Sequence, residues 1–208
     1  MKIAIIGTGN MGSGLARALA AAGHEINIGS RDPAKAASLA HEAGHNTQGG
    51  GIQAAVKFAD VVFLALPYQA ILDTLGDTGD LANKILVDIS NPITSDYKDL
   101  LVGHTTSAAE EIQARAESAR VVKAFNTVFA GLLSRDARKD KAVQIFVAGD
   151  DEEARKTVAA LADSIGFEAV DAGPLSNARF IEPIGEMNIH FGFFLGQGTA
   201  IAPAWVKI

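Results

Sequence analysis

Apolar residues gather into short runs along this chain, at Lys2–Ile6, Glu25–Ile28, Val61–Ala65, Lys84–Ile89, Arg120–Ala124, Val143–Ala148 and Glu168–Asp171. Most are near-continuous in Val, Ile and Phe rather than alternating with polar residues. That pattern belongs to strands covered by helices on both faces, and so to a parallel sheet. Between the runs, apolar positions recur with helical spacing over Met11–Ala22, Pro33–Ala43, Ile52–Phe58, Gln69–Leu75, Ser107–Ala116 and Asp151–Ile165. Asp32 before Pro33 reads as an N-cap followed by a first-turn proline. Asp151, Glu152 and Glu153 suit the positive end of the helix dipole. A last helical pattern, Ser176–Leu195, has no strand behind it. The alternation predicts a doubly wound, mostly parallel α/β sheet. Residues 1–208 read as one domain, with 174–208 as a short C-terminal helical extension.

Composition narrows the function classes. The formal charge of −6 argues against nucleic-acid binding, which needs a concentrated basic face. The basic cluster RDARKDK, Arg135–Lys141, also carries two aspartates and reads as a solvated loop. Without cysteine there is no disulfide, thiolate nucleophile or zinc–sulfur site. The first apolar run is too short for a signal peptide and leads straight into a glycine turn. Met187–Val206 lacks formal charge over about the length of a membrane span. Asn188, His190, Gln197, three glycines and Pro203 make it a poor spanning helix, and a buried helix with a tail is expected. The expectation is a soluble, cytoplasmic protein with no membrane and no nucleic-acid partner.

The opening MKIAIIGTGNMGSG carries candidate chemistry. A strand leads into Gly7, Thr8, Gly9, Asn10, Met11 and Gly12, and a helix follows. In the Rossmann-like dinucleotide fold the first glycine permits the tight turn and the second lets backbone approach the pyrophosphate. The third allows close packing of helix on strand, and the helix N–H groups bind the phosphates. Where an NAD-binding chain carries an acid after the second strand, this chain has Ser30 and Arg31, with Lys35 a helical turn on. A hydroxyl and two cations suit a 2′-phosphate, so NADPH is expected rather than NADH. Three stretches, ALPYQA (Ala65–Ala70), DISNPI (Asp88–Ile93) and KAFNTV (Lys123–Val128), stand at strand C-termini, where such folds bind ligands. They place Leu66, Pro67, Asn91, Pro92, Ala124, Asn126 and Thr127 near the nicotinamide ribose and ring.

GTGNMGSGLA, GSRDPAK, GDDEEARK, the proline after the fourth strand and above all DAGPLSNARFIE (Asp171–Glu182) resemble the NADPH-dependent reductases of the deazaflavin coenzyme F420. The resemblance runs over most of the chain. It implies hydride exchange between NADP(H) and a flavin-like ring stacked on the nicotinamide, and a homodimer. It also assigns Thr8, Ser30, Arg31 and Lys35 to the cofactor. Archaeal members tend to carry a histidine before the threonine of the sixth strand, where this chain has Phe125–Asn126–Thr127. KAFNT is more similar to the NADPH domain of the STEAP metalloreductases, which passes electrons to an ordinary flavin. The acceptor is thus F420 or FMN/FAD, bordered by Pro67, Asn91, Pro92, Asn126, Thr127 and the loop Leu175, Ser176 and Asn177. Phe125 reads as core rather than as a stacking platform.

Alternatives stay open. The opening also resembles pyrroline-5-carboxylate reductase and the β-hydroxyacid dehydrogenases. Those enzymes build their substrate site in a helical domain, whereas only residues 172–208 follow the last strand here, and no candidate for the hydroxyacid enzymes' lysine is found. A non-enzymatic NADPH sensor is the other reading. Glu182, Glu186 and His190 share one helical face and lack the further ligands of a closed metal site, so a polar stripe at a subunit interface is expected. His24, His41, His45 and His104 lie in polar stretches and are expected to face solvent. No paired acid and base is found, which suits a hydride transfer that needs proximity and orientation rather than proton shuttling. Large apolar residues on several sides of the last helix (Phe180, Ile184, Met187, Ile189, Phe191, Phe193 and Phe194) call for a second subunit.

Overall fold

The structure is a computed structural model that describes residues 1–139 and 141–208. The apolar runs form strands β1 (Lys2–Ile6), β2 (Glu25–Ser30), β4 (Val61–Leu64), β5 (Ile85–Asp88), β6 (Arg120–Lys123), β7 (Gln144–Gly149) and β8 (Glu168–Asp171). One further strand, β3 (Gln48–Gly51), has the sequence QGGG and no apolar signal. It forms because it pairs in parallel with β2 and lets α2 come very close: a Cβ at Gly49 would collide with the Ala36 carbonyl. The spatial order is β3–β2–β1–β4–β5–β6–β7–β8. All neighbours run parallel except β6 and β7, where Val122 faces Gly149 and Lys123 faces Ala148 in an antiparallel pair.

The helices are α1 (Asn10–Ala21), α2 (Pro33–Ala43), α3 (Ile52–Phe58), α4 (Tyr68–Thr74), α5 (Ala108–Arg115), α6 (Arg135–Arg138), α7 (Glu152–Ser164) and α8 (Ala178–Ile189). Alternate strand residues serve opposite layers. Ile3, Ile5, Phe63 and Val87 pack with Leu15, Leu19 and Leu161 on one face. Ala4, Ile6, Val62 and Leu86 pack with Ile52, Ile71 and Ile112 on the other. Burial on both sides explains the near-continuous apolar runs, each large side chain contributing about 1.5–3 kcal/mol. Asp32 caps α2 as expected, its Oδ1 accepting from the amides of Ala34 at 3.1 Å and Lys35 at 3.2 Å. The Asp151 carboxylate accepts from Ala154 N and caps α7.

Two expectations are corrected. RDARKDK is not simply a solvated loop: Arg135–Arg138 form α6, and Arg138 is buried. Its guanidinium donates to the carbonyls of Leu132 at 2.8 Å and Ile165 at 2.6 Å, and lies 3.9 Å from the centre of the Phe167 ring. A planar, many-donor cation can satisfy helix-end carbonyls and stack at once, which a charge count does not reveal. Asp140 of that cluster lies outside the described residues. The single helix expected over Ser176–Leu195 is instead a 3₁₀ turn at Leu175–Asn177, then α8, then a π-helical turn at His190–Phe194. The tail returns to the sheet, where the Gln144 amide clasps the Trp205 backbone in both directions. Among the described residues no helix is long and apolar enough to cross a membrane.

Candidate functional site

The turn between β1 and α1 shows why three glycines stand there. Gly7 has φ +123°, and a Cβ on it would collide with the carbonyl oxygen of Ala65. A Cβ on Gly12 would collide with the carbonyl of Gly7. These two are imposed by the protein's own close contacts. Gly9 is different: nothing lies within 4 Å of its would-be Cβ, and it is the N-cap of α1 with no side chain to satisfy the first N–H groups. Open space therefore faces unsatisfied donors at the positive end of a helix, the arrangement that holds a pyrophosphate. Thr8 is half-buried and Asn10 exposed beside it, while Leu66 Cδ2 lies 3.1 Å from where a Cβ on Gly7 would stand and exposed Pro67 opens α4.

The end of β2 adjoins this turn, because Gly7 N donates to Gly29 O at 3.0 Å. Ser30 Oγ accepts from Asp32 N at 3.1 Å. Asp32 is thus committed to the helix cap. Arg31 and Lys35 are exposed, and among the described residues neither is paired with a carboxylate.

Beyond the ends of β5 and β6 the chain closes a cavity of about 200 Å³, with Met11, Asn91, Asn126, Phe129, Gly185 and Asn188 in its wall. Asn91 and Asn126 are locked together: Asn126 Nδ2 donates to Asn91 Oδ1 at 2.8 Å, and Asn91 Nδ2 to Asn126 O at 2.9 Å. Asn126 Nδ2 also donates to Ile181 O at 3.2 Å, so its oxygen is the atom left over. Asn126 Oδ1, Thr127 Oγ1 and Ser90 Oγ are all buried without a partner. Orphaned buried polar atoms are rare and costly, and three at adjacent strand ends mark a place for a polar ligand. A larger groove of about 740 Å³ runs along α1 between Arg17 and Arg135, and among the described residues no orphaned buried polar atom lines it.

The expected site residues sort as follows. Gly7, Thr8, Gly9, Asn10, Met11 and Gly12 form the turn, with Leu66 and Pro67 beside it, and Met11 also reaches the cavity of Asn91 and Asn126. Pro92, Ala124 and Thr127 are buried at the same strand ends. Phe125 is fully buried at φ +62° and packs edge-on to Phe63 and Phe167, so it is core as expected. Leu175, Ser176 and Asn177 are not brought together with the rest. Because β7 and β8 run against β6, the loop after β8 lies beside the amino-terminal end of β6, where Leu175 N donates to Asp150 Oδ1. Its place is taken by Gly185, Asn188 and Phe193 of the α8 segment. The signal for this was Gly185 itself, a glycine inside an apolar helix: a Cβ there would collide with Asn91 Oδ1 and lie 2.8 Å from Asn126 Nδ2.

Of the stripe Glu182, Glu186 and His190, the first faces inward and the other two are half-buried. Glu182 is buried and pairs with Lys123 Nζ at 2.8 Å, and it accepts from the amides of Ala108 and Ala109 at the start of α5. Lys123 Nζ also donates to Asp88 Oδ2 and Ser90 O, each at 2.7 Å. Burial works against the Lys123 ammonium, yet Asp88 and Glu182 together hold its pKa above the ordinary lysine value. Burial likewise pushes Glu182 up, against the pull of Lys123. Glu186 faces His190 at 3.5 Å, and His190 Nε2 reaches Tyr97 O at 2.6 Å. Among the described residues no group of side chains could hold a metal ion. His41, His45 and His104 are exposed as expected. His24 is not: it is half-buried against Ser164 and the N-terminal ammonium, and burial, then that charge, lowers its pKa.

Comparison with known proteins shows the family. The sequence model of a family described as "NADP oxidoreductase coenzyme F420-dependent" matches residues 2–92, the span from β1 to Pro92. The F420-dependent NADP reductase of Methanothermobacter thermautotrophicus is 37% identical over 207 residues, covering 91% of this chain and 88% of the relative. Metalloreductase STEAP3 of Rattus norvegicus is 35% identical over 185 residues, 88% of this chain but 36% of the larger protein. A crystal structure from Arthrobacter sp. FB24, provisionally described as an F420-dependent NADP reductase, superposes with a TM-score of 0.90 at 32% identity, over 100% of both chains. Likeness over nearly the full length of both proteins, reaching past the glycine turn into α8, makes this chain a member of the F420-dependent NADP reductase family.

Proposed function

We propose that the protein is an NADP-dependent oxidoreductase that exchanges hydride between NADP(H) and a flavin-like acceptor, a deazaflavin of the F420 type or FMN/FAD. One observation carries the reading. The open, donor-rich turn at Gly9, the uncommitted cations Arg31 and Lys35, and the orphaned acceptors of Asn126 and Thr127 lie in order across the carboxyl ends of β2, β1, β5 and β6. A dinucleotide has the same sequence of parts. The first turn of α1 holds the pyrophosphate. Ser30, Arg31 and Lys35 hold the 2′-phosphate, Arg31 through a two-pronged contact. Asn126 Oδ1 accepts from the carboxamide and fixes which face of the ring is presented. Phe129 and Phe193, with ring centres 5.4 Å apart, wall the cavity. When bound, NADPH supplies the hydride from its nicotinamide ring. The chain adds position rather than a proton.

The exposed apolar side of the α8 segment supports a homodimer. Phe180 is 68% exposed, Phe193 63% and Phe194 55%, beside exposed Met187. Apolar surface of this extent on one element is the ordinary mark of an interface. The function is tested by loading the protein with NADPH under anaerobic conditions and offering deazaflavin, FMN and FAD in turn. Bleaching of the acceptor with stoichiometric loss of the nicotinamide absorbance is expected, and deazaflavin should turn over fastest. Oxidation only by an imine or a hydroxyacid's oxo partner would favour a small-substrate reductase, and tight binding without turnover would favour a sensor.

A further inference from the structure

Asp88, Lys123 and Glu182 each stand three residues before Asn91, Asn126 and Gly185. The same three segments therefore carry a charge triad at one level and the amide layer of the cavity at the next. At the first level Lys123 joins Asp88 at 2.7 Å to Glu182 at 2.8 Å, and all three side chains are at most 2% exposed. At the second level the turn of α8 from Ile181 to Gly185 touches both asparagines: Ile181 O accepts from Asn126 Nδ2, and Gly185 approaches too closely to carry a Cβ. Glu182 is the only residue of that turn bonded to both α5 and β6, through the amides of Ala108 and Ala109 and through Lys123.

From this we infer that Lys123 and Glu182 are positioning residues for hydride transfer: their buried ion pair sets the height and roll of α8 against the asparagine pair, and so the aim of Asn126 Oδ1. The inference rests on the reading of this cavity as the nicotinamide site. A buried pair adds little net stability over apolar replacements, but it does specify one geometry, because ion and hydrogen-bond distances tolerate less slippage than apolar contact. The backbone of α8 would survive without it; its register on the amides would not.

The test compares NADP⁺ with 2′,5′-ADP, which keeps the 2′-phosphate and the adenosine-side phosphate and lacks the nicotinamide half. It also follows the side-chain amide NMR signals of Asn91 and Asn126 in the free protein. Glu182→Gln should bind NADP⁺ about tenfold more weakly, the scale of one lost hydrogen bond, while 2′,5′-ADP binds as to wild type. The Asn126 amide signals should shift or broaden before any nucleotide is added. Should that variant not fold, the triple replacement Asp88→Asn, Lys123→Met and Glu182→Leu removes the whole triad, so that no buried charge is left unpaired, and must show the same selective loss. Folded variants that bind both ligands as wild type does, with unmoved amide signals, would overturn the inference alone. Wild-type protein that binds neither ligand would overturn the nucleotide reading and the inference with it.

Discussion

A 2′-phosphate is well solvated, so a protein selects it only by offering cations not already committed to its own carboxylates. Arg31 and Lys35 meet that condition because Asp32, the nearest acid, is occupied by the cap of α2. Replacing Arg31 by Ala should lower the preference for NADPH over NADH by about tenfold or more, some 1.4 kcal/mol, with NADH affinity nearly unchanged. Equilibrium titration of both nucleotides checks this, and a preference that survives the substitution contradicts it. The glycines give a sharper contrast, because two are held by protein contacts and one faces open space. Gly12→Ala must push its methyl into the Gly7 carbonyl, and backbone cannot rotate away as a side chain can. It should cost about 1–3 kcal/mol and lower Tm by several degrees. Gly9→Ala, at φ −76°, should melt as wild type does and yet lose nucleotide affinity, since its methyl enters the space left for phosphate. Equal melting of the two variants would show that the turn is not divided in this way.

At the scale of elements, α8 decides how the site is completed. It is tied to α5 by Glu110 and Arg179, joined through two contacts of 2.6 and 2.8 Å. The Arg179 hydrogen bond, aided by Ser107 and opposed by burial, holds the Glu110 carboxyl below the ordinary glutamate range. A depressed carboxylate stabilises the fold above its unfolded pKa and loses that contribution as pH falls through the folded value. The difference in Tm between wild type and Arg179→Met should therefore shrink as the pH is lowered from about 5 to 3, and a constant difference would remove the pair from the account. On the outer side, replacing Phe180 and Met187 with Glu should turn a dimer into a monomer by light scattering. Wild-type protein that is already monomeric at micromolar concentration would refute the interface. These elements were unequally legible. Central strands announce themselves, because burial on two faces leaves no polar alternation. β3 could not, since QGGG has no side chains to form a pattern and its pairing is visible only once α2 lies on it. The buried role of Arg138 was hidden likewise, because its partners are carbonyls and a ring distant in sequence.

For the molecule as a whole, the candidate positions at the carboxyl ends of the parallel strands were legible in the sequence, and those that depend on the direction of the last two strands were not. The turn from Gly7 to Gly12, the Ser30–Arg31 pair and the Asn91 and Asn126 positions follow from the rule that such sheets bind ligands at strand ends. Leu175–Asn177 was expected there from the resemblance. The reversal of β7 and β8, which no local pattern records, carries that loop to the other end of β6 and brings Gly185 and Asn188 forward instead. The Lys123–Glu182 pair escaped for a related reason: spacing on a helix shows which residues share a face, not which element that face meets. Direct hydride transfer between two rings does not require an acid–base pair. Replacing His190, the histidine nearest the cavity's helix, should accordingly lower turnover far less than the 10²–10⁴-fold typical of a lost general acid or base, which steady-state kinetics will measure. The most direct test of the whole account is a single turnover with NADPH deuterated on one prochiral face and a deazaflavin acceptor. The account predicts that label leaves from one face only and is recovered on the deazaflavin. Loss from both faces, or recovery of the label in water, would contradict it.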